Sequence, residues 1–130
     1  MKLGIIGLPV CGKSTVFEAL THEFAHTGDK SEDRLSTIHV PDIRIDALSQ
    51  MYQPRKTIYA QVEYFLPGKT GHKKEGDKPE TAWTAVRDMD ALIHVVRNFR
   101  MFGLDAPTPE HDFLKLDQEL ILSDLAVIER

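Results

Sequence analysis

Two glycines, a lysine and a serine stand near the start of the sequence at a spacing that can bind phosphate. Residues 7 to 14 read G-x-x-x-x-G-K-S, between an apolar run and a helix-forming run. Gly7 and Gly12 permit backbone conformations that let successive N–H groups converge on an anion. Lys13 brings a positive charge to phosphate oxygens, and the Ser14 hydroxyl is an oxygen ligand that Mg²⁺ accepts. The pattern predicts a site for the phosphates of a nucleotide.

The predicted phosphate-contacting run extends over residues 9 to 15, with Ser14 as the metal ligand and Thr15 placed to donate to an α-phosphate. Its members are Pro9, Val10, Cys11, Gly12, Lys13, Ser14 and Thr15. Cys11 is the only cysteine, which excludes an internal disulfide. A redox role for this thiol is one alternative, and a spacer within the loop is the interpretation we favour.

Composition and charge limit the remaining function classes. The chain has 130 residues, 42% of them hydrophobic and 28% charged, which is ordinary for one globular domain. The formal net charge of -4 argues against nucleic-acid binding through overall charge attraction. We interpret the lysine-rich segment from 69 to 78 as a solvated loop. There is no secretory segment and no long apolar run, so we expect a soluble, cytoplasmic protein with no membrane contact.

The elements that must position the loop alternate between strand and helix. The hydrophobic periodicity and the residues that start and stop helices and strands predict an α/β fold, a sheet with helices on both faces. We expect this domain to be truncated after the fourth strand and the helix that follows it. The first predicted elements are a buried strand formed by Leu3, Ile5 and Ile6 with Gly4 between them, a helix from Lys13 to about Phe24, a loop over 26 to 34, a strand Leu35 to Val40 and a helix from Asp42 to Tyr52. They are followed by a central or near-central strand Thr57 to Phe65, a helix Lys78 to Arg87, a strand Ala91 to Val96, a loop over 97 to 107, and a final helix with Thr108 as cap and Pro109 in its first position.

Four runs in this order resemble the YchF or Obg-like ATPases, within the translation-factor class of phosphate-loop NTPases. They are GIIGLPVCGKSTVFEALT at 4 to 21, VPDIRIDAL at 40 to 48, VEYFLPG at 62 to 68 and DALIHVVR at 90 to 97, with a weaker fifth, ELILSDLAVIER, at 119 to 130. The resemblance implies a three-layer nucleotide domain, of which residues 1 to 130 are a part. It also implies binding of ATP or GTP with Mg²⁺, slow hydrolysis, and partnership with the ribosome.

The chain departs from the family's pattern around the metal. The family strand ends V-D-x-x-G and sets an aspartate near Mg²⁺, whereas here Phe65 runs directly into Leu66-Pro67-Gly68. Glu63 lies on the same strand, two residues too early, and we interpret it as an ordinary strand carboxylate. Thr37 is the nearest candidate for the threonine of the first switch, and the alternative places it within a strand. We therefore expect Mg²⁺ to be weakly held.

The catalytic and base-binding parts also differ. Lys69 follows Gly68 where many GTPases carry a water-orienting glutamine, and Asn98, the only asparagine, has no N-K-x-D context. No catalytic residue can be assigned. His39 and His94 fall in predicted strands without metal-ligand spacing, which favours structural roles.

Three functions remain open at this stage. The first is an NTPase switch, the second is a degenerate nucleotide-binding or interaction module without efficient turnover, and the third is a fragment that binds nothing. For this chain acting alone we favour binding with little or no hydrolysis. The last helix carries apolar residues on more than one stripe, so we also expect pairing with another chain through it.

Overall fold

The computed structural model of the chain describes residues 1–23, 32–68 and 86–129. Its elements, in chain order, are β1 (Lys2–Ile6), α1 (Lys13–Thr21), β2 (Arg34–His39), α2 (Ile43–Tyr52), β3 (Gln61–Leu66), β4 (Ala91–His94) and α3 (Pro109–Ile128). The predicted helix from Lys78 to Arg87 and most of the predicted loop over 26 to 34 lie outside the described residues.

The four strands form one mixed sheet in the order β2-β3-β1-β4. β1 runs parallel to both neighbours, with Lys2 opposite Glu63 on β3 and Leu3 opposite Ala91 on β4. β2 is antiparallel to β3, so that Arg34 lies opposite Leu66. Because β1 and β3 point the same way, the segments that follow them leave the sheet at one edge, which we call the carboxyl edge.

Two adjacent residues of β1 pack into different layers. Ile5 is fully buried and packs with Phe17 of α1 and Leu66 of β3. Ile6 belongs to a second cluster, with Leu116 of α3 and with Val86, which precedes β4. Successive side chains of a strand point to opposite faces, so α1 covers one face of the sheet and α3 covers the other. The predicted α/β fold with helices on both faces is confirmed.

Several predicted boundaries move by a few residues. α1 ends at Thr21, three residues before Phe24, with His22 in the left-handed conformation as its C-cap. β3 occupies Gln61–Leu66 rather than Thr57 to Phe65, although Val40 N still donates to Ala60 O at 2.8 Å. β4 ends at His94, and the Val95 N–H bonds back to Ile6 O. The predicted strands begin before β3 and end after β4 because β-branched and aromatic residues continue beyond the residues that pair with a neighbouring strand.

The starts of α2 and α3 agree with prediction to within one residue. Asp42 is the N-cap of α2 and accepts from the Arg44 N–H at 2.9 Å. Thr108 is the N-cap of α3, but its hydroxyl donates to the Asp112 carboxylate instead of capping the helix backbone. In the described ranges none of the helices combines the length and the apolar character needed to cross a membrane.

Candidate nucleotide phosphate site

The loop between β1 and α1 has a backbone that only a few residue types tolerate. Gly12 has φ 101° and Val10 has φ 62°, both in the left-handed half of conformational space. Gly7 also has a positive φ, 156°, and a Cβ at this position would lie 2.4 Å from Val95 O and 2.6 Å from Cys11 Sγ. Both glycines of the motif therefore provide a positive φ, and Gly7 in addition permits a close backbone approach.

The amino end of α1 presents unused N–H groups at the carboxyl edge. The first intrahelical bond runs from Val16 N to Gly12 O at 3.0 Å, so the N–H groups of Lys13, Ser14 and Thr15 precede it. Gly12 is the N-cap and offers no side chain to accept from them, and the first turn contains no acidic residue. Open N–H groups at the positive end of a helix favour an anion.

Lys13 is already oriented over this loop. Its ammonium donates to Gly7 O at 2.7 Å and to Leu8 O at 2.8 Å, and it lies 3.9 Å from Cys11 Sγ. The side chain is partly buried. The Lys13 ammonium therefore has only neutral carbonyl oxygens as acceptors. Phosphate oxygens bind an ammonium more strongly than carbonyls do, because hydrogen bonds between ionised groups are shorter and stronger.

The other members of the predicted run divide into exposed and buried residues. Pro9, Val10, Ser14 and Thr15 are exposed, so the Ser14 hydroxyl is free to meet a ligand, whereas Cys11 is 5% exposed. The buried thiol lies against Gly7, and its role as a spacer stays a prediction.

For Mg²⁺, the hydroxyl of Ser14 is a donor of the right chemistry. Across residues 1–23, 32–68 and 86–129, no three side chains among His, Cys, Asp and Glu come together to hold a metal ion. A metal at this site would therefore depend on Ser14 and on phosphate oxygens.

The segment after β4 forms a wall beside the loop. A Cβ built on Gly12 would lie 3.7 Å from Cε1 of Phe99. Arg97 donates from Nη2 to the carbonyls of Asp105 and Ala106, and its Nη1 is buried with no acceptor among the described residues. A cavity of about 340 Å³ separates this wall from the loop; it is lined by Leu8, Pro9, Val10, Cys11, Arg97, Leu104, Asp112 and Lys115.

Glu63 and Thr37, the two residues that were considered for the metal side, both lie away from the carboxyl edge. Glu63 is opposite Lys2, the first residue of β1, and its carboxylate lies 3.6 Å from the Lys2 ammonium. Four residues of strand, about 13 Å at 3.3 Å per residue, separate that level from Ile6. Glu63 is therefore a strand carboxylate, as predicted. Thr37 pairs with Glu63 within β2, so it lies in a strand, as the alternative interpretation had it, and antiparallel pairing carries it away from the carboxyl edge.

The two histidines have structural surroundings. His94 stacks on Phe113 with ring centroids 5.1 Å apart, and burial lowers its pKa below 6.5 while the Asp117 carboxylate acts in the opposite direction. His39 hydrogen-bonds through Nε2 to the Gln61 side chain at 2.9 Å.

A carboxylate that sequence reasoning missed lies at the carboxyl edge, where the loop also lies. Asp33 immediately precedes β2 and accepts from the Gly68 N–H at 2.7 Å. Only the antiparallel pairing of β2 with β3 brings this residue to the carboxyl edge. The sequence does predict a strand beginning at Leu35, close to Asp33. The direction of that strand relative to β3 could not be derived from the residues.

A parallel strand, a glycine-rich turn with open N–H groups and a helix opening on Lys13 and Ser14 define a phosphate-loop nucleotide-binding protein. The chain belongs to the family described as 50S ribosome-binding GTPase, whose sequence profile matches residues 2–126.

Relatives in bacteria and a plant confirm the resemblance to the YchF and Obg-like ATPases. The chain is 29% identical over 140 residues to the ribosome-binding ATPase YchF of Bacillus subtilis (strain 168), covering 100% of this chain and 38% of the relative. Identity to the protein of the same name in Pasteurella multocida (strain Pm70) is 31% over 139 residues, covering 99% and 38%. Identity to Obg-like ATPase 1 of Oryza sativa subsp. indica is 31% over 142 residues, covering 99% and 35%. The chain thus spans well under half the length of these curated relatives.

Proposed function

We propose that this chain binds the phosphates of ATP or GTP through residues 9 to 15. The observation that carries the proposal is the set of open N–H groups at Lys13, Ser14 and Thr15, together with a lysine ammonium already held over the loop. Phe99 lies close to the same helix start and offers an aromatic face on which a base of either type can stack. The cavity beside the loop is also lined by the cations Arg97, of the wall, and Lys115, of α3, together with the carboxylate of Asp112.

We propose further that Mg²⁺ is weakly held and that hydrolysis by this chain is slow or absent. Ser14 is the one protein ligand we assign to the metal. At the end of β3, where the family has an aspartate, Leu66 is 5% exposed and packs with Ile5 and Phe17. An apolar side chain supplies no oxygen to orient a metal-bound water, and loss of such an outer partner typically costs about 10- to 100-fold in metal affinity or activity.

The same features favour a second candidate, a module that uses nucleotide binding for interaction rather than turnover. Two relatives are named ribosome-binding ATPases. We propose the ribosome as the partner of the protein to which this chain corresponds, and the cytoplasm as its location.

The proposal is tested by calorimetry and thermal shift with ATP and GTP, each with Mg²⁺ and with EDTA. Wild-type chain should bind at least one nucleotide, and Lys13→Ala should lose this binding. Lys56→Ala is the matched control, because Lys56 is exposed and lies in the segment after α2. Equal binding by wild type and Lys13→Ala would place the nucleotide elsewhere, and no binding by wild type would overturn the proposal. Turnover, measured as released phosphate, separates the NTPase from the binding module.

A further inference from the structure

The contact between Asp33 and Gly68 places a negative charge at the edge of the sheet that carries the phosphate loop. β1 and β3 are in parallel register, with Gly4 opposite Phe65. Continuing this register by three residues brings Gly68 level with Gly7, the first residue of the loop. Adjacent strands lie about 4.8 Å apart. The carboxylate that accepts from the Gly68 N–H at 2.7 Å therefore lies at the carboxyl edge, within about two strand spacings of the loop.

The position of the next residue supports this placement. Arg34 donates to the Glu18 carboxylate at 3.1 Å and stacks over the ring of Phe17 at 4.5 Å. Both partners are on α1, one turn after Ser14. Since β2 approaches α1 at this level, Asp33, one residue closer to the carboxyl edge, lies towards the level at which α1 begins.

The Asp33 charge has no ion-pair partner in the described part of the chain. The ion pairs there involve Glu63, Glu18, Asp42 and Asp112. Arg34, its nearest cation in sequence, is committed to Glu18. Asp33 also takes the Gly68 N–H, a donor that would otherwise face the same edge as the anion-binding N–H groups of α1.

We propose that Asp33 is a specificity-determining residue that selects against longer phosphate chains. This inference rests on the proposed function. The carboxylate repels each additional phosphate charge that extends from the loop towards β3, and it withholds a backbone donor from that charge. Asp33 therefore weakens binding of nucleoside triphosphate more than diphosphate, and diphosphate more than monophosphate, when no cation offsets the charge.

The test is calorimetry with ATP, ADP and AMP, and with GTP, GDP and GMP, in low-salt buffer containing EDTA. Asp33→Asn removes the charge and keeps an oxygen for the Gly68 N–H, while Asp33→Ala also releases that N–H. Asp33→Asn should tighten triphosphate binding by about 3- to 10-fold, the size expected for like charges several ångströms apart near water. The gain should be smaller for diphosphate, smallest for monophosphate, and should shrink at 0.5 M salt. Asp33→Ala should gain at least as much.

Asp90→Asn is the matched control. Asp90 is exposed and accepts from the Lys2 N–H at 2.7 Å, so the change removes the same charge from the same kind of contact at the opposite edge of the sheet. A gain in affinity cannot result from misfolding. The inference would be overturned if both Asp33 variants bound triphosphate no more tightly than wild type, or if the gain did not depend on the number of phosphates. In either case, binding by wild type would still uphold the proposed function. Absence of binding by wild type and variants alike would overturn both.

Discussion

The carboxylate of Glu63 lies 3.6 Å from the ammonium of Lys2, at the edge of the sheet opposite the phosphate loop. This pairing removes from the metal site the strand carboxylate nearest in sequence to the missing family aspartate. At the carboxyl end of β3, nearest the loop, the residue is Leu66, whose side chain has no oxygen to offer a metal.

Glu63→Gln should therefore leave the magnesium dependence of nucleotide binding unchanged. We expect Mg²⁺ to tighten ATP or GTP binding by wild type by less than about 10-fold, because an outer carboxylate is missing. Ser14→Ala should remove the remaining effect. Calorimetry with and without Mg²⁺ measures all three. A strong magnesium effect that disappears in Glu63→Gln would show that the carboxylate reaches the site.

Gly7→Ala should destabilise the fold far more than Gly103→Ala. A Cβ at 7 meets the Val95 carbonyl at 2.4 Å, whereas at Gly103, with φ 81°, a Cβ meets nothing within 4 Å. We expect a loss of about 2 kcal/mol or more in the free energy of unfolding at position 7. At position 103 the loss should be about 1 kcal/mol, the cost of a left-handed conformation. Urea unfolding checks both, and equal losses would contradict the steric argument.

His94 should make the fold sensitive to mild acid. Burial lowers the pKa of His94 below its ordinary value of 6.5, so the folded state resists the proton that the unfolded state accepts. The resulting stability is present above pH 6.5 and is lost as pH falls from 6.5 through the folded-state pKa. His94→Gln should flatten the fall in melting temperature between pH 7 and pH 5. His111→Gln is the control, since the His111 side chain is 77% exposed. The same slope in both variants and wild type would refute a role for His94.

The outer stripe of α3 should pair with a second copy of the chain. Leu116 and Leu120 face the core. Four apolar residues at helical spacings of 7, 4 and 3 lie on the other side of α3 and are exposed: Leu114 (50%), Ile121 (59%), Leu125 (47%) and Ile128 (81%). Such a stripe pairs well with its own antiparallel copy. Sedimentation should give a dimer for wild type and a monomer for Ile121→Lys combined with Leu125→Lys. Glu119→Lys, on another side of α3, should remain dimeric, and a monomeric wild type at high concentration would refute the pairing.

The loop and both layers of the fold were predictable because their signals are local. The motif from Gly7 to Ser14 sets conformation residue by residue, and the alternation of Ile5 and Ile6 follows from strand geometry. The antiparallel direction of β2 was not predictable, because its connection to α1 crosses residues 26 to 34, where no periodicity sets a path. For that reason the position of Thr37 stayed open between two alternatives, and the location of Asp33 at the carboxyl edge could not be predicted.

The central position of β1 also has a consequence for synthesis. The first strand to be made pairs with β3 and β4, whose matching residues come 61 and 88 positions later, at Glu63 opposite Lys2 and Ala91 opposite Leu3. Contacts so distant in sequence form slowly, because a long loop must close before they are rewarded. On a translating ribosome, the nascent chain therefore carries Leu3, Ile5 and Ile6 unpaired until β3 has emerged, and one side of β1 stays open until β4 follows. An open strand edge exposes the amino-terminal strand to aggregation while the chain is incomplete.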